Sequence, residues 1–282
     1  MSVQPTADEL ANIKLCAQKL WDLDENRLVP EQHYGIDVQG GKKMYHSQDA
    51  ASQKLFKGVS KSTWAKTTYK IFYHLLDNYE RETGKEEVVT TREIRESQDF
   101  LSACMDTKPL QYVHNYLVEK GIASKDELTF KKMLYQMWFS LYRRDTQNDS
   151  CGFEHVFVGE SDEGEIKGLH NWIQFFIEES RGNLDYRGYI VPRRRGAPPP
   201  DGEERLLSVQ LFWKGEKKPV TSMFIGTSPE FEIALYSLYF LAGEEHNMVD
   251  ILNYDVDIRC HRIRSKYGDK ISTCFPDIVN ET

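Results

Sequence analysis

Two histidines in short, glycine-flanked segments are the residues of this sequence best suited to acid–base chemistry. His155 lies in the run Cys-Gly-Phe-Glu-His-Val-Phe-Val-Gly-Glu (151–160), and His170 lies in Gly-Leu-His-Asn-Trp (168–172). Because an unperturbed imidazole titrates at a pH of about 6.5, one histidine can accept a proton near neutrality while the other donates one. Such a pair predicts a site that breaks a bond by general acid–base catalysis.

Two histidines and a lysine are sufficient groups for cleaving RNA. One neutral imidazole removes the proton of a ribose 2′-hydroxyl, which attacks the adjacent phosphorus, and a protonated imidazole donates to the departing 5′-oxygen. An ammonium group stabilises the charge that develops on the phosphoryl oxygens. The residue types alone leave a second interpretation open, in which the same groups line an unrelated phosphate-binding pocket.

The first half of the chain has the periodicity of helices. Apolar residues recur at spacings of three and four, which predicts helices at 6–23, 64–81, 90–104 and 109–121, and one that opens with a capping box at Ser124 and Glu127. Residues 30–60 are weakly periodic and are expected to be mostly irregular.

After residue 145, short apolar runs alternate with turn residues. They predict strands at 156–158 and 186–191, a loop at 192–204, a hairpin of 206–213 with 219–225, and strands at 256–263 and 271–275. Helices are expected at 170–180 and 231–241, the latter capped by Ser228 with Pro229 at its first position.

These patterns together predict an α+β fold in one domain, residues 1–282. Its helical N-terminal subdomain would cover residues 1–145. A β-rich catalytic subdomain of antiparallel sheets with packed helices would cover residues 146–282.

Composition narrows the class of protein. The formal net charge is −8, which argues against non-specific coating of nucleic acid but allows one local basic cleft. No apolar run reaches the roughly 20 residues of a membrane helix, and residues 1–8 lack the apolar core of a signal peptide. We therefore expect no membrane partner, a monomer, and a cytoplasmic or nuclear location, with secretion open if a leader has been removed.

The segment after the first predicted helix has some features of a calcium loop. Asp22, Asp24 and Asn26 alternate as oxygen ligands do in such loops. However, Arg27 stands where those loops need glycine, and no glutamate closes the loop. A helix C-terminus with acidic residues is the favoured interpretation.

Three motifs in order resemble one enzyme family. The runs 151–160 and 168–172, followed by Phe-Ile-Gly-Thr-Ser-Pro-Glu-Phe-Glu (224–232), are similar to the EndoU (XendoU) endoribonucleases, and Trp-Asp-Leu-Asp-Glu-Asn-Arg (21–27) resembles their N-terminal portion. This resemblance covers nearly the whole chain. It implies cleavage of single-stranded RNA at uridines that leaves a 2′,3′-cyclic phosphate.

The resemblance also implies roles for individual residues. His155 corresponds to the general acid, His170 to the general base and Lys218 to the catalytic lysine, although Lys214 and Lys217 lie close by. Placement in the sequence adds a role for Glu154: because it directly precedes His155, its carboxylate would help to keep a proton on the acid, and it is also a candidate substrate-binding residue. Ser222, Thr273 and Phe275 would read the uridine; related enzymes often have tyrosine in place of Phe275, which therefore lacks a hydroxyl.

The resemblance also implies activation by a divalent cation, because animal and amphibian members of the family are activated by Mn²⁺ or Ca²⁺. We expect this ion to organise structure or RNA rather than to act in bond breaking. Glu154 and Glu160 are the candidate ligands, beside the 22–26 segment. The competing hypotheses are a catalytically idle RNA-binding protein of the same fold and a non-nuclease that uses His155 or Cys151.

Overall fold

The structure is a computed structural model, and it describes residues 1–191, 199–266 and 268–278. Helices and mainly antiparallel sheets are mixed within it, which confirms the α+β prediction; only the pairs β2–β6 and β5–β8, whose ranges follow, are parallel. Part of the predicted 192–204 loop, residues 192–198, lies outside the described residues. No helix in the described ranges is long and apolar enough to cross a membrane.

The N-terminal half is mainly helical. Its helices are α1 (Ala7–Ala11), α2 (Leu15–Leu23), α3 (Thr67–Leu75), α4 (Thr91–Met105), α5 (Lys108–Glu119) and α6 (Glu127–Phe139). The single helix predicted at 6–23 is divided, because the Asn12 side chain accepts a hydrogen bond from Lys14 N and forms a turn there. Asp126, rather than Ser124, caps α6 by accepting from Thr129 N.

Two larger sheets follow. Six strands lie in the order β2 (Gly41–Lys42), β6 (Leu184–Ile190), β7 (Leu206–Trp213), β8 (Glu216–Phe224), β5 (Glu165–Lys167) and β4 (Glu160–Asp162). Three strands form the second sheet, β9 (His246–Ile251), β10 (Tyr254–Ile263) and β11 (Lys270–Ile278). A small pair, β1 (Tyr34–Ile36) and β3 (Phe56–Val59), lies in the stretch expected to be irregular. Since β2 belongs to the predicted helical subdomain yet pairs with β6, the N-terminal half contributes to the catalytic sheet.

The predicted strand at 156–158 is wrong. Residues Glu154–Val158 form a π-helical turn, and Gly159 N donates to Glu154 O to close it. The physical reason lies in the rings of Phe153 and Phe157, whose centroids are 5.0 Å apart within one aromatic cluster. A strand would separate residues four apart by about 13 Å, so only a helical turn lets both rings pack together.

The helices of the second half frame the site. Helix α7 (Trp172–Ser180) starts two residues after His170, and α8 (Pro229–Ala242) is capped by Ser228 with Pro229 at its first position, as predicted. Asn171 caps α7 by accepting from Ile173 N and Gln174 N. The amide of Asn171 donates to Glu232 of α8, which ties the start of α7 to that helix.

A β-bulge sets the orientation of two site residues. Strand β8 advances three residues from Lys218 to Thr221 while the opposing residues of β7, Leu211 and Val209, are two apart. Because cross-strand partners share a face of the sheet, the extra residue places Lys218 and Thr221 on the same face.

Candidate active site

His155 is held by a buried carboxylate. Its Nδ1 lies 2.5 Å from Glu160 Oε2, so Nδ1–H donates to the carboxylate and Nε2 is left for a substrate. Glu160 is also bound by Arg144, whose Nε lies 3.0 Å from Oε2, and by the hydroxyl of Ser150. The ring is therefore fixed in one tautomer and one orientation.

The charges around His155 act in opposite directions. Burial lowers the pKa of His155, and the carboxylate of Glu160 opposes that effect by favouring the imidazolium. Burial would raise the pKa of Glu160, but the charges of His155 and Arg144 hold it below its ordinary value. Glu160 is thus the ionised partner that helps His155 to carry a proton.

The surroundings of His170, unlike those of His155, favour a neutral imidazole. Its Nδ1 lies 3.1 Å from both Ser222 O and Thr221 Oγ1. Because the Thr221 hydroxyl donates to Leu169 O at 2.8 Å, it accepts from His170, and the Nε2 of a neutral His170 has no proton. Burial, followed by the charges of Lys218 and His155, lowers the pKa of His170 well below its ordinary value. A neutral imidazole with a free Nε2 is suited to act as a base.

The two histidine segments are joined through their backbones. Leu169 N donates to His155 O at 3.0 Å, and His170 N donates to Val156 O at 2.8 Å. Gly168 makes this approach possible, since it has a φ of +62° and a Cβ there would lie 1.7 Å from His155 O. The relative position of the two imidazoles is consequently determined by main-chain contacts.

Lys218 completes the group. Its side chain is buried, and Nζ donates to Ile166 O at 3.3 Å, four residues before His170. Burial and the charge of Lys167 lower the pKa of Lys218 to about 8, so the ammonium persists at neutral pH. Its charge lowers the pKa of both histidines, which means that the structure brings the three predicted groups within electrostatic reach of one another.

Two of the three predicted base-reading residues, Phe275 and Ser222, contact His170. Phe275 stacks on the His170 ring with centroids 4.5 Å apart and planes 11° apart. Thr273 Oγ1 is buried and has no hydrogen-bond partner among the described residues. The Ser222 hydroxyl is 2.7 Å from that of Ser208, while the backbone carbonyl of Ser222 binds His170. Their roles toward uridine stay predictions.

Glu154 does not make the contact that the sequence suggested. Both of its carboxyl oxygens are buried without a partner in the described part of the chain. Burial, together with the charge on Glu160, raises the pKa of Glu154 to about 10, so it is uncharged at neutral pH. The carboxylate that supports a proton on His155 is that of Glu160.

Glu154 and Glu160 do not fit a site for a hard cation. Glu154 is neutral, and the oxygens of Glu160 are engaged by His155, Arg144 and Ser150. Within residues 1–191, 199–266 and 268–278, no three His, Cys, Asp or Glu side chains are grouped to hold a metal. In the 22–26 segment, Asp24 Oδ1 is buried without a partner among the described residues, as is Oε2 of the nearby Glu230.

Sequence reasoning missed three residues of the site. Arg144 and Ser150 bind Glu160, and Thr221 binds His170. Arg144 and Ser150 lie before the run 151–160, and no spacing rule links them to Glu160. Thr221 precedes Ser222, and only the bulge in β8 shows that it shares a face with Lys218.

Comparisons with known proteins identify the family of this chain. The model of the family Endoribonuclease XendoU matches residues 12–276. The chain is 42% identical to poly(U)-specific endoribonuclease-B of Xenopus laevis, covering 93% of this chain and 92% of that protein. It is also 42% identical to uridylate-specific endoribonuclease C of Danio rerio, covering 99% and 91%.

A solved structure is similar as well. The structure of XendoU, described as a splicing independent snoRNA processing endoribonuclease, superimposes with a TM-score of 0.83 at 42% identity. The match covers 95% of this chain and 96% of that one.

Proposed function

Because the chain belongs to the endoribonuclease XendoU family, we propose that it is an endoribonuclease that cleaves single-stranded RNA at uridines. The observation that carries this proposal is the convergence of His155, His170 and Lys218. Each imidazole is fixed through Nδ1, and its Nε2 has no partner in the part of the chain that the structure describes. The relatives named for poly(U) and uridylate specificity supply the choice of base.

The proposed reaction needs no group outside this set for bond breaking. His170 Nε2 takes the proton of the ribose 2′-hydroxyl, the 2′-oxygen bonds to phosphorus, and the bond from phosphorus to the 5′-oxygen breaks. His155 Nε2–H gives its proton to that oxygen. The products are a 2′,3′-cyclic phosphate and a 5′-hydroxyl. Lys218 stabilises the negative charge that develops on the phosphoryl oxygens in the transition state.

We assign uridine selection to Thr273 and Phe275 of β11 and to Ser222 of β8. Thr273 has a buried hydroxyl free to bond to a pyrimidine edge, and the neighbouring Phe275 keeps one face on His170. Ser222 contributes through its backbone carbonyl, which accepts a hydrogen bond from His170 Nδ1 and so orients that ring. We expect a preference for uridine over cytidine that Thr273→Val weakens, measured as the ratio of their kcat/KM values.

Stimulation by Ca²⁺ or Mn²⁺ is also proposed, with the ion acting outside the bond-breaking groups. Asp24 and Glu230 are the preferred ligands, because the two carboxyl groups lie close enough for the charge of Glu230 to raise the pKa of Asp24, and each has a free buried oxygen. Glu154 has free oxygens too, but it is a single carboxyl group that is uncharged at neutral pH. Electron paramagnetic resonance of added Mn²⁺ tests this: Asp24→Asn should weaken binding by about tenfold, whereas Glu154→Gln should not. Equal effects of the two substitutions would overturn the assignment.

A fluorogenic oligonucleotide with a single ribouridine tests the activity itself. The protein should cleave it, whereas His155→Ala and His170→Ala should each lower kcat by at least about 100-fold and retain binding. Binding of the oligonucleotide without cleavage by the unaltered protein would instead identify an idle RNA-binding protein. We propose that the active species is a monomer, which sedimentation in the same buffer tests.

A further inference from the structure

One face of the three-stranded sheet of β9, β10 and β11 continues the candidate site. Phe275 of β11, whose ring stacks on His170, is paired across the strands with Arg259 of β10. Cross-strand partners point to the same face of a sheet, and their Cβ atoms lie about 5 Å apart. Arg259 is therefore the side chain that follows Phe275 on the face that meets His170.

Two carboxylates hold the Arg259 guanidinium in one orientation. Its Nη2 lies 2.7 Å from Asp277 Oδ2, and its Nε lies 3.2 Å from Asp257 Oδ2. Asp257 is itself fixed, because its Oδ1 accepts from Asn247 N at 2.9 Å and its Oδ2 lies 2.7 Å from His246 Nδ1. The plane of the guanidinium is thus set before any ligand binds.

This guanidinium is held at its edge, but its plane is not covered. The Arg259 side chain is 36% exposed, and no aromatic ring of the described residues lies over it. Arg262 of the same strand differs, because its guanidinium lies 4.8 Å from the centre of the Phe240 ring of α8, on the other face of the sheet. Arg259 therefore offers a flat, positioned surface to a ligand.

The position of Arg259 relative to β11 indicates which neighbour of the uridine would reach it. The start of β11 lies against the segment that contains His155, since a Cβ on Gly152 would lie 2.9 Å from Ile271 Cβ. Asp277, which binds the Arg259 guanidinium, is six residues further along the strand, about 20 Å away. In the proposed reaction the leaving nucleotide departs beside His155. Arg259 thus lies on the opposite side, where the nucleotide 5′ to the uridine continues.

Proteins that bind single-stranded RNA hold its bases against aromatic rings and against the guanidinium planes of arginines. Because Asp257 and Asp277 balance the charge of Arg259, this group is better suited to a base than to a phosphate. We propose that Arg259 forms a subsite for the base on the 5′ side of the cleaved uridine, which stacks on the guanidinium plane. This inference rests on the proposed function, because it assigns a neighbouring nucleotide of the same RNA substrate.

Three octaribonucleotides, each with a single uridine among adenosines, test the subsite. One is complete, one lacks the base on the 5′ side of the uridine, and one lacks the base on its 3′ side; the abasic sugars keep their phosphates. For the unaltered protein, loss of the 5′ base should raise KM about tenfold. Arg259→Lys keeps the charge but has no plane, so it should raise KM about tenfold for the complete and 3′-abasic forms and leave the 5′-abasic KM and every kcat unchanged.

A second variant and a matched control separate stacking from charge and from general disturbance. Arg259→Tyr restores a flat surface without charge, and it should keep the KM of the complete form within about twofold of the unaltered value. Arg262→Lys should leave that KM unchanged, since Arg262 is 37% exposed and paired with Asp269 but faces α8. With deoxyuridine in place of the uridine, the Kd measured by fluorescence anisotropy should change in the same proportions as KM.

The outcomes are distinct. If the unaltered protein cleaves the complete form but Arg259→Lys changes KM and Kd by less than about twofold, the subsite is wrong and the nuclease stands. An equal rise in KM for the 5′-abasic form, or an Arg259→Tyr variant as impaired as Arg259→Lys, would also overturn the subsite. Coupling of Arg259 to the 3′ base would overturn the assigned side. Failure of the unaltered protein to cleave the complete form would overturn the proposed function instead.

Discussion

The carbonyl oxygen of His155 occupies the space in which a side chain at Gly168 would begin. A Cβ built on Gly168 lies 1.7 Å from that oxygen, and the next residue, Leu169, donates its N–H to the same oxygen at 3.0 Å. The distance between the two catalytic segments is therefore set by the absence of a side chain at this position. Any larger residue must push the segments apart.

Gly168→Ala should consequently separate His170 from His155 and lower kcat by at least about 100-fold, because acid and base must reach the same linkage. The free energy of unfolding should fall as well. Steady-state kinetics and urea unfolding measure the two effects.

Gly164→Ala is the control for backbone strain. Gly164 also has a left-handed φ, +84°, but nothing lies within 4 Å of an added Cβ. The substitution should cost about 1 kcal/mol of stability and leave kcat unchanged. Similar losses of kcat in the two variants would contradict the role of the close approach.

Glu160→Gln tests the carboxylate that binds His155. Glutamine can preserve the contact while removing the charge, so the pKa of His155 should fall further and kcat on RNA should drop by roughly 100-fold. NMR titration of His155 gives a readout that loss of structure would not mimic. Glu119→Gln, at an exposed glutamate at the end of α5, should change neither quantity. An unchanged His155 titration in Glu160→Gln would contradict the role of Glu160.

The pH dependence of kcat/KM should have two separable causes. On RNA, kcat/KM should fall as pH rises above the lowered pKa of His155, because the acid loses its proton. With uridine 3′-(4-nitrophenyl phosphate), whose leaving group needs no acid, only the decline near pH 8 should remain, where Lys218 titrates. Lys218→Arg should move that decline above about pH 10, since a guanidinium stays charged there. Identical profiles for the two substrates would contradict His155 as the acid.

Glu232→Gln should change how stability depends on pH. Burial raises the pKa of Glu232 to about 8, whereas the unfolded carboxyl titrates near 4.5. Between these values the unfolded state loses a proton that the folded state keeps, so the free energy of unfolding falls as pH rises. The variant should lack this contribution. Between pH 4 and pH 8, the stability of the variant relative to the unaltered protein should therefore rise by about 4 kcal/mol. Urea unfolding at both pH values measures this. An equal difference in stability between the variant and the unaltered protein at pH 4 and at pH 8 would contradict the raised pKa.

The fold class was predictable because its evidence is local. The spacing of apolar residues predicted α4, α5 and α8 to within two residues at each end, and Ser228-Pro229 located the start of α8. The turn at 154–158 was not predictable from local pattern, because Val156-Phe157-Val158 has the composition of a strand. Packing of Phe153 and Phe157 in the aromatic cluster decided its conformation, and that packing involves residues distant in sequence.

The residues of the candidate site also fall into two groups, those that a sequence motif identified and those that only the tertiary structure identified. His155, His170 and Lys218 were identified by motif, and the structure brings them together. The partners of these residues were not predictable from the sequence. Glu160 reaches His155 because of the course of the chain after the π-helical turn, and Thr221 reaches His170 because of the bulge in β8. Which of Glu154 and Glu160 supports the proton on His155 depends on the burial and the contacts of each side chain. Adjacency in sequence does not reveal either.

The most direct test of the proposed reaction is mass analysis of the ends produced from an octaribonucleotide with a single uridine and from its 2′-deoxyuridine counterpart. If His155, His170 and Lys218 act on one ribose-phosphate linkage, the ribo form gives a 2′,3′-cyclic phosphate and a 5′-hydroxyl, and the deoxy form is left intact. Cleavage of the deoxy form at a comparable rate would contradict attack by the 2′-hydroxyl and, with it, the proposed reaction.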